Sequence, residues 1–249
     1  MSGHNKWSSI KHKKGAADAK RGRIFTKYIK DITVAAREGG GDVDSNPSLR
    51  VAIQGAKSVN MPAVNIERAI KKGTGELEGV NYDEYTYEGY GHNGVAILVE
   101  ALTDNKQRTV SEVRHAFSKF GGNMADSGAV SWMFNKMGMI VVSNTGQDED
   151  EVMMDVLDAG AEDMESDEEE FTIYTPYTEL HNVMMKLEEK KYEIQKAELT
   201  MIPKNRINAD NVAEKLFRLL DFLEDLDDVQ KVYANYEISD EVFERLSAE

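Results

Sequence analysis

Charge is spread along this chain so unevenly that it dictates at least two differently charged bodies. Residues 1–75 carry 15 Lys and Arg against 6 Asp and Glu, a net +9. The other 174 residues carry 15 basic and 39 acidic side chains, a net −24, which leaves the whole at −15. Such asymmetry points to nucleic acid or an anionic membrane surface at the basic end. The acidic remainder keeps the molecule soluble and limits adhesion elsewhere. It also offers another outcome. The +9 and −24 parts attract one another within one molecule, and a basic face covered by the chain's own acids would bind nucleic acid poorly at physiological salt.

The basic segment reads as helices. Phe25, Ile29, Ile32 and Ala36 recur at helical spacing from Arg23 to Glu38, and Gly39-Gly40-Gly41 ends the run. Asn46-Pro47 opens a second helix with Leu49, Ala52, Ile53 and Ala56 on one face. Met61-Pro62 opens a third that buries Ala63, Ile66 and Ile70 and closes on Lys71-Lys72-Gly73, cations that suit the helix dipole before a glycine cap.

Beyond Gly75 the texture changes to alternating strands and helices. Tyr82–Tyr90 and Val95–Leu102 read as strands, Thr109-Val-Ser-Glu112 as a capping box, and Ala129–Phe134 as a third strand. From Met139 the order is strand, acidic helix (149–159), two strands (161–166 and 170–175), helix (177–191), strand (193–202). That is the β-α-β-β-α-β pattern of ferredoxin-like units. Val212, Leu216, Leu219, Leu223 and Leu226 line a further helix, and 229–238 a last strand. The expected class is α+β with three domains. A basic helical domain spans 1–75, and two α/β domains of ferredoxin-like type follow, a discontinuous one of 76–135 and 206–240 and an acidic one, 136–205, inserted within it.

The first helix carries the best functional signal. At about 100° per residue, Arg23, Lys27, Lys30 and Arg37 fall within about 80° of one another, with the apolar set nearly opposite and Asp31 only on the flank. Lys6, Trp7, Lys11, Lys13, Lys14, Lys20 and Arg21 add cations and an indole ahead of that stripe. Lysine and arginine neutralise phosphates and release counterions, and Trp7 is suited to stacking on a base. The pattern specifies charge and is silent on DNA against RNA. No helix-turn-helix spacing is evident. Reversing Lys27 and Lys30 together is expected to remove binding and leave the fold intact.

Enzymatic chemistry finds no support. The chain has no cysteine, so thiolate metal sites, catalytic thiols and disulfides are excluded. Five histidines lack metal-ligand spacing, and the acidic runs lack the calcium-loop pattern. Gly89-Tyr-Gly91-His-Asn-Gly94 matches a dinucleotide fingerprint, but it runs into a strand with no following helix, so a hairpin turn is the expectation. Arg108, Thr109, Arg114 and His115 form a second polar group on the middle helix, with salt bridging to nearby acids as its expected role. No cofactor, metal, membrane or small-molecule substrate is expected, nor a secretion signal, and the expected location is cytoplasmic.

Gly3-His-Asn-Lys-Trp7, Ile10-Lys-His-Lys-Lys-Gly15, Asn65-Ile-Glu-Arg-Ala-Ile70, Tyr87-Glu-Gly-Tyr-Gly91, Arg108-Thr-Val-Ser-Glu-Val-Arg-His115 and Leu226-Asp-Asp-Val-Gln230, among other runs, resemble the YebC/PmpR family over nearly the whole chain. The resemblance implies a helical first domain followed by two α/β domains. It also implies a DNA-binding transcriptional regulator of the cytoplasm. The family includes a mitochondrial translational activator of cytochrome oxidase, and bacterial members are linked to the ribosome and to relief of stalled synthesis, so ribosomal RNA is the second partner implied. Its basic surface maps onto Lys6, Lys11, Lys13, Lys14, Lys20, Arg21 and Lys27. The chain departs from the family pattern at Ala63-Val64, where a charged pair is common, and at His92-Asn93. Three readings stand: DNA-binding regulator, ribosome-associated translation factor, and a scaffold that works through its acidic α/β parts.

Overall fold

The computed structural model describes the backbone of residues 17–167 and 169–248, and the side chains of residues 21–246 apart from 168. The expectations placed on Lys6, Trp7, Lys11, Lys13 and Lys14, and on the side chain of Lys20, lie outside the described residues. The described chain is α+β, with helices first and then two four-stranded antiparallel sheets with helices between their strands.

Among the described residues three helices come first: α1 (Ala17–Gly39), α2 (Pro47–Ser58) and α3 (Ala63–Gly73). Ile32, Ala36, Leu49, Ile53, Ala56, Ile66 and Ala69 bury their side chains in one cluster, with Phe25 and Ile29 against its edge. The predicted faces of α1 and α2 are the ones buried. On α3, Ala63 is exposed and Ala69 fills the core in its place. Asn46 joins the first two helices. Its Oδ1 accepts the Leu49 N–H at 3.0 Å as the α2 N-cap, and its Nδ2 donates to Ala35 and Gly40 carbonyls at the end of α1. Gly73 is required where α3 ends on α1, because a Cβ there would sit 2.4 Å from the Thr33 carbonyl oxygen.

The first sheet has the order β3-β1-β2-β9, from β1 (Asp83–Tyr90), β2 (Ala96–Thr103), β3 (Asn123–Ala125) and β9 (Val229–Ala234). β1 and β2 pair from Asp83↔Thr103 to Tyr90↔Ala96 around a turn in which Asn93 and Gly94 take positive φ, so the glycine run is a hairpin. On one face α4 (Lys106–Lys119) and α7 (Ala213–Glu224) bury Val113, Phe117, Leu216, Leu219 and Leu223. On the other, Val130 and Phe134 pack on Ala96, Leu98 and Tyr233. Burial on both faces explains the almost wholly apolar run of β2, interrupted by the partly exposed Glu100. Its strand order along the chain is a hairpin, helix and strand, then α7 and β9, and so differs from β-α-β-β-α-β.

Between those parts lie β4 (Phe134–Ser143), α5 (Glu149–Ala159), β5 (Asp163–Ser166), β6 (Glu170–Pro176), α6 (Leu180–Glu189) and β7 (Ile194–Pro203), with sheet order β5-β6-β4-β7 and every pair antiparallel. A short parallel pair, β8 (Ile207–Asn208) with β10 (Tyr236–Glu237), precedes the last helix, α8 (Asp240–Ala248).

Three sequence expectations differ from the structure, and one element has no counterpart among them. The α4 cap is Asn105, whose Oδ1 accepts the Arg108 N–H, and Thr109 lies inside the helix with no exposed surface. Residues 129–133 are no strand, and the strand begins only at Phe134. The buried Glu88 carboxylate accepts the N–H groups of Gly128, Val130 and Ser131, which removes them from any ladder, and Ser131–Met133 coils into a 3-10 turn. The last strand breaks at Asn235, where the side-chain oxygen takes the Ala96 N–H and sends β10 to β8. The helix α8 follows where the sequence expectation ends, beyond Ile238.

Candidate nucleic-acid interface

The predicted cation stripe runs along α1 as expected, but its middle faces protein. Lys30 is 5 % exposed. Its ammonium lies 2.7 Å from Asp228 Oδ1 and donates to the carbonyls of Leu102 and Asp227 at 3.2 and 2.8 Å. Lys27 donates to the Glu224 carbonyl at 2.7 Å, at the C-terminal end of α7 where the helix dipole is negative. Arg23 pairs with Asp225 at 3.2 Å, both half-exposed. One end of α7 and the loop after it therefore occupy the stripe from Arg23 to Lys30.

Asp228 is the hub of this junction. Besides Lys30, it accepts from Arg108 Nε and Nη2 at 3.1 and 2.7 Å, from Thr109 at 2.8 Å and from Thr103 at 3.1 Å, while only 3 % exposed. Burial pushes its pKa up, yet the hydrogen bonds from Lys30, Arg108 and Thr109 outweigh burial and hold it at about 2. Arg108 also bridges to Asp104 at 2.8 Å. The salt bridging expected of Arg108 is thus observed, with Thr109 as a second ligand of the same carboxylate. Arg114 and His115 are exposed and take no part in it. Beside the hub a cleft of about 720 Å³ opens, lined by Arg23, Tyr82, Asp104, Glu112 and Asp227 among others. Its mixture of both charges suits a junction between α1 and the loops of the first sheet better than a polyanion.

Asp31, on the flank of α1, belongs to a second junction. Burial is the main cause that raises its pKa to about 6, against the lowering effect of Lys231 and Lys27, with Glu84 adding to the rise. Lys231 in turn contacts Glu198 at 3.3 Å, so α1, both sheets and their charged edges meet here.

Lys30 is therefore withdrawn as a nucleic-acid contact, and its reversal to Glu would place a second buried carboxylate beside Asp228. The expectation that the double reversal of Lys27 and Lys30 spares the fold falls with it. Arg37, which ends the stripe, and Arg21, which lies ahead of it and about 160° round the helix from Arg23, are exposed. Arg37 has company that the sequence reading missed. Gly73 brings the end of α3 against the backbone of Arg37, and Lys71 and Lys72 are exposed beside it. As dipole partners at the end of α3 the two lysines need no further role in sequence, and only the fold shows them as surface cations beside α1.

Among the described residues, no group of three or more His, Cys, Asp or Glu is placed to hold a metal ion, and no helix is long and apolar enough to cross a membrane.

Comparison with known proteins matches residues 5–76 to the TACO1/YebC protein N-terminal domain and residues 82–236 to the TACO1/YebC second and third domain. A probable transcriptional regulatory protein of Desulfosudis oleivorans is 57 % identical over 245 residues, covering 98 % of this chain and 100 % of that one. One of the same description from Persephonella marina is 56 % identical over 250 residues, covering 99 % and 100 %. The crystal structure of a conserved hypothetical protein from Aquifex aeolicus superposes with a TM-score of 0.82 at 49 % identity, over 93 % of this chain and 96 % of that one. Long motifs, matched domains and full-length relatives agree, and the chain belongs to the TACO1/YebC family.

Proposed function

We propose that the protein is a non-enzymatic regulator of gene expression that binds nucleic acid through its N-terminal helical unit. Duplex DNA is the first partner, in a cytoplasmic setting. The division of labour follows the chain, with 1–75 as the binding unit, 76–135 with 206–240 as the body that holds it, and 136–205 as an inserted acidic unit. The observation that carries this reading is the segregation of charge, a net +9 over 75 residues in an otherwise acidic chain. The transcriptional names of the relatives support it.

With Lys30 and the stripe's middle engaged by the protein itself, the phosphate contacts fall to Arg21, Arg37, Lys71 and Lys72, together with Lys6, Lys11, Lys13, Lys14 and Lys20, with Trp7 stacking. Arg23 and Lys27 contribute only at the margin of the α7 contact. Ribosomal RNA is the second reading, and one observation favours it. The middle of α1 is enclosed on both sides, so that helix is not free to enter a major groove, and phosphate- and shape-led binding serves structured RNA well.

The test is titration of the full chain with a 20-base-pair duplex and with an RNA hairpin at several salt concentrations. The triple variant Arg37→Glu, Lys71→Glu, Lys72→Glu should weaken binding at least tenfold. It should also flatten the salt dependence by close to one unit per lost phosphate contact. A folded triple variant with unchanged affinity and slope overturns the assignment of that end of α1. Stronger and less salt-sensitive binding to the hairpin than to the duplex selects the RNA reading.

A further inference from the structure

The inserted acidic unit has an outward face that the nucleic-acid reading does not use. α5 and α6 cover one side of their sheet, burying Val152, Val156, Ala159, Val183 and Leu187 against Ile140, Val142, Phe171 and Ile173. The two helices run side by side in opposite directions. Lys186 donates to the Ala159 carbonyl, and Lys190 pairs with Asp155 across the seam.

Opposite that buried side, apolar side chains stand in solvent. Met154 is 67 % exposed, Leu157 50 % and Met185 46 %. On α5, Met154 and Leu157 share an arc of about 120° with Asp150, Glu151 and Asp158, centred away from the core positions. On α6, Met185 stands between Glu188 and Glu189, which are exposed on either side of it. The lysines nearest this face, Lys186 and Lys190, reach across the seam to the Ala159 carbonyl and Asp155 and remain exposed, outnumbered by the acids around them. The unit as a whole, 136–205, holds 18 acidic and 6 basic residues, a net −12.

An apolar centre with an acidic frame on two adjacent helices has a definite complement. Repulsion keeps nucleic acid and a second copy of the same acidic face away. A partner must offer apolar side chains to the two methionines and the leucine, and cations to the rim. Methionine is the side chain that adapts best to varied apolar partners. We propose that the outer face of α5 and α6 is a docking surface for a basic amphipathic helix of another protein, with Met154, Leu157 and Met185 under its apolar stripe and Asp150, Glu151, Asp158, Glu188 and Glu189 facing its cations. This surface is independent of the nucleic-acid reading and stands or falls separately.

The test uses the full chain and two synthetic 18-residue peptides of identical lysine and leucine content. In one the leucines form a helical stripe, and in the other they are scrambled. Fluorescence anisotropy at physiological salt should show at least tenfold tighter binding of the striped peptide. Met154→Glu with Leu157→Glu makes the face more negative, so a purely electrostatic attraction would strengthen, whereas docking on the apolar centre should weaken at least tenfold. Met185→Gln, a milder change, should weaken it severalfold and keeps the test decisive if the first variant does not fold. Equal binding of the two peptides overturns the proposal, as does undiminished binding by either folded variant. Concentration-dependent dimers that Met154→Glu dissolves would replace it with self-association.

Discussion

Replacing Lys30 with Met separates the two roles a cation on α1 can play. The ammonium is buried, and its removal leaves Asp228, the Leu102 carbonyl and the Asp227 carbonyl each short of one donor. Losing one member of a buried ion pair costs about 3–5 kcal/mol when the other is left alone. Asp228 is not left alone, since Arg108, Thr103 and Thr109 remain on it, and that places Lys30→Met at about 2–3 kcal/mol. Asp228→Asn is the more damaging change. It leaves a buried ammonium and a guanidinium facing a neutral amide, at about 4 kcal/mol. The double variant should fall short of the sum of the singles by about 1–3 kcal/mol, because both remove the same contact. Urea unfolding followed by circular dichroism gives the three free energies, and nucleic-acid titration of the same samples gives the affinities. A Lys30→Met protein within about 0.5 kcal/mol of the wild type, with weakened nucleic-acid binding, would show that this cation meets phosphate and would refute the buried-clamp account.

Asn46→Ala removes the α2 cap and two hydrogen bonds to the end of α1 at a site only 4 % exposed, and should cost about 2 kcal/mol, read as a lowered thermal midpoint. Two carboxylates give the pH profile opposite slopes. Asp228, held at about 2 against an ordinary 3.8, contributes stability that is full above pH ~4 and lost as pH falls through ~2. Asp31, raised to about 6, contributes stability that is full below pH ~4 and lost as pH rises through ~6. The contribution of these two groups is therefore greatest near pH ~4, and Asp31→Asn should raise stability at pH ~7–8 and lessen the fall between pH ~4 and ~6. An unchanged slope in that variant would mean Asp31 is not the group that titrates.

Local signals carried most of the elements. Asn46-Pro47 marked the start of α2, the apolar period of α1 named its buried face, and Glu149–Ala159 is the helix that its residues describe. What failed was decided by partners distant in sequence. Val130 looks like a strand residue until Glu88, 42 residues earlier, takes its N–H. Asn235 reads as one more residue of a strand until its amide oxygen replaces a backbone acceptor for Ala96, 139 residues away. α8 carried a legible signal, Ser239 before Asp240-Glu241 with Val242, Phe243 and Leu246 on one face, and it was obscured by the strand assigned up to Ile238.

The cation stripe shows why the site was only half legible. Helical periodicity reports that α1 has a second, polar face, and says nothing about what that face meets. Lys30 and Asp228 are 198 residues apart, and no window centred on α1 contains the carboxylate that claims it. The whole-chain charge balance did contain the warning, because a +9 segment and a −24 remainder must partly neutralise each other wherever they touch. The acidic run Asp225-Leu-Asp-Asp228 follows a leucine-lined helix, where the last carbonyls already carry partial negative charge. A row of lysines and an acidic helix C-terminus in one chain are complementary before any external ligand is considered. The cations that remain for phosphate are those beyond the reach of that loop, and this is why Arg37, Lys71 and Lys72 at the far end of α1 bear the proposed contacts that its middle cannot make.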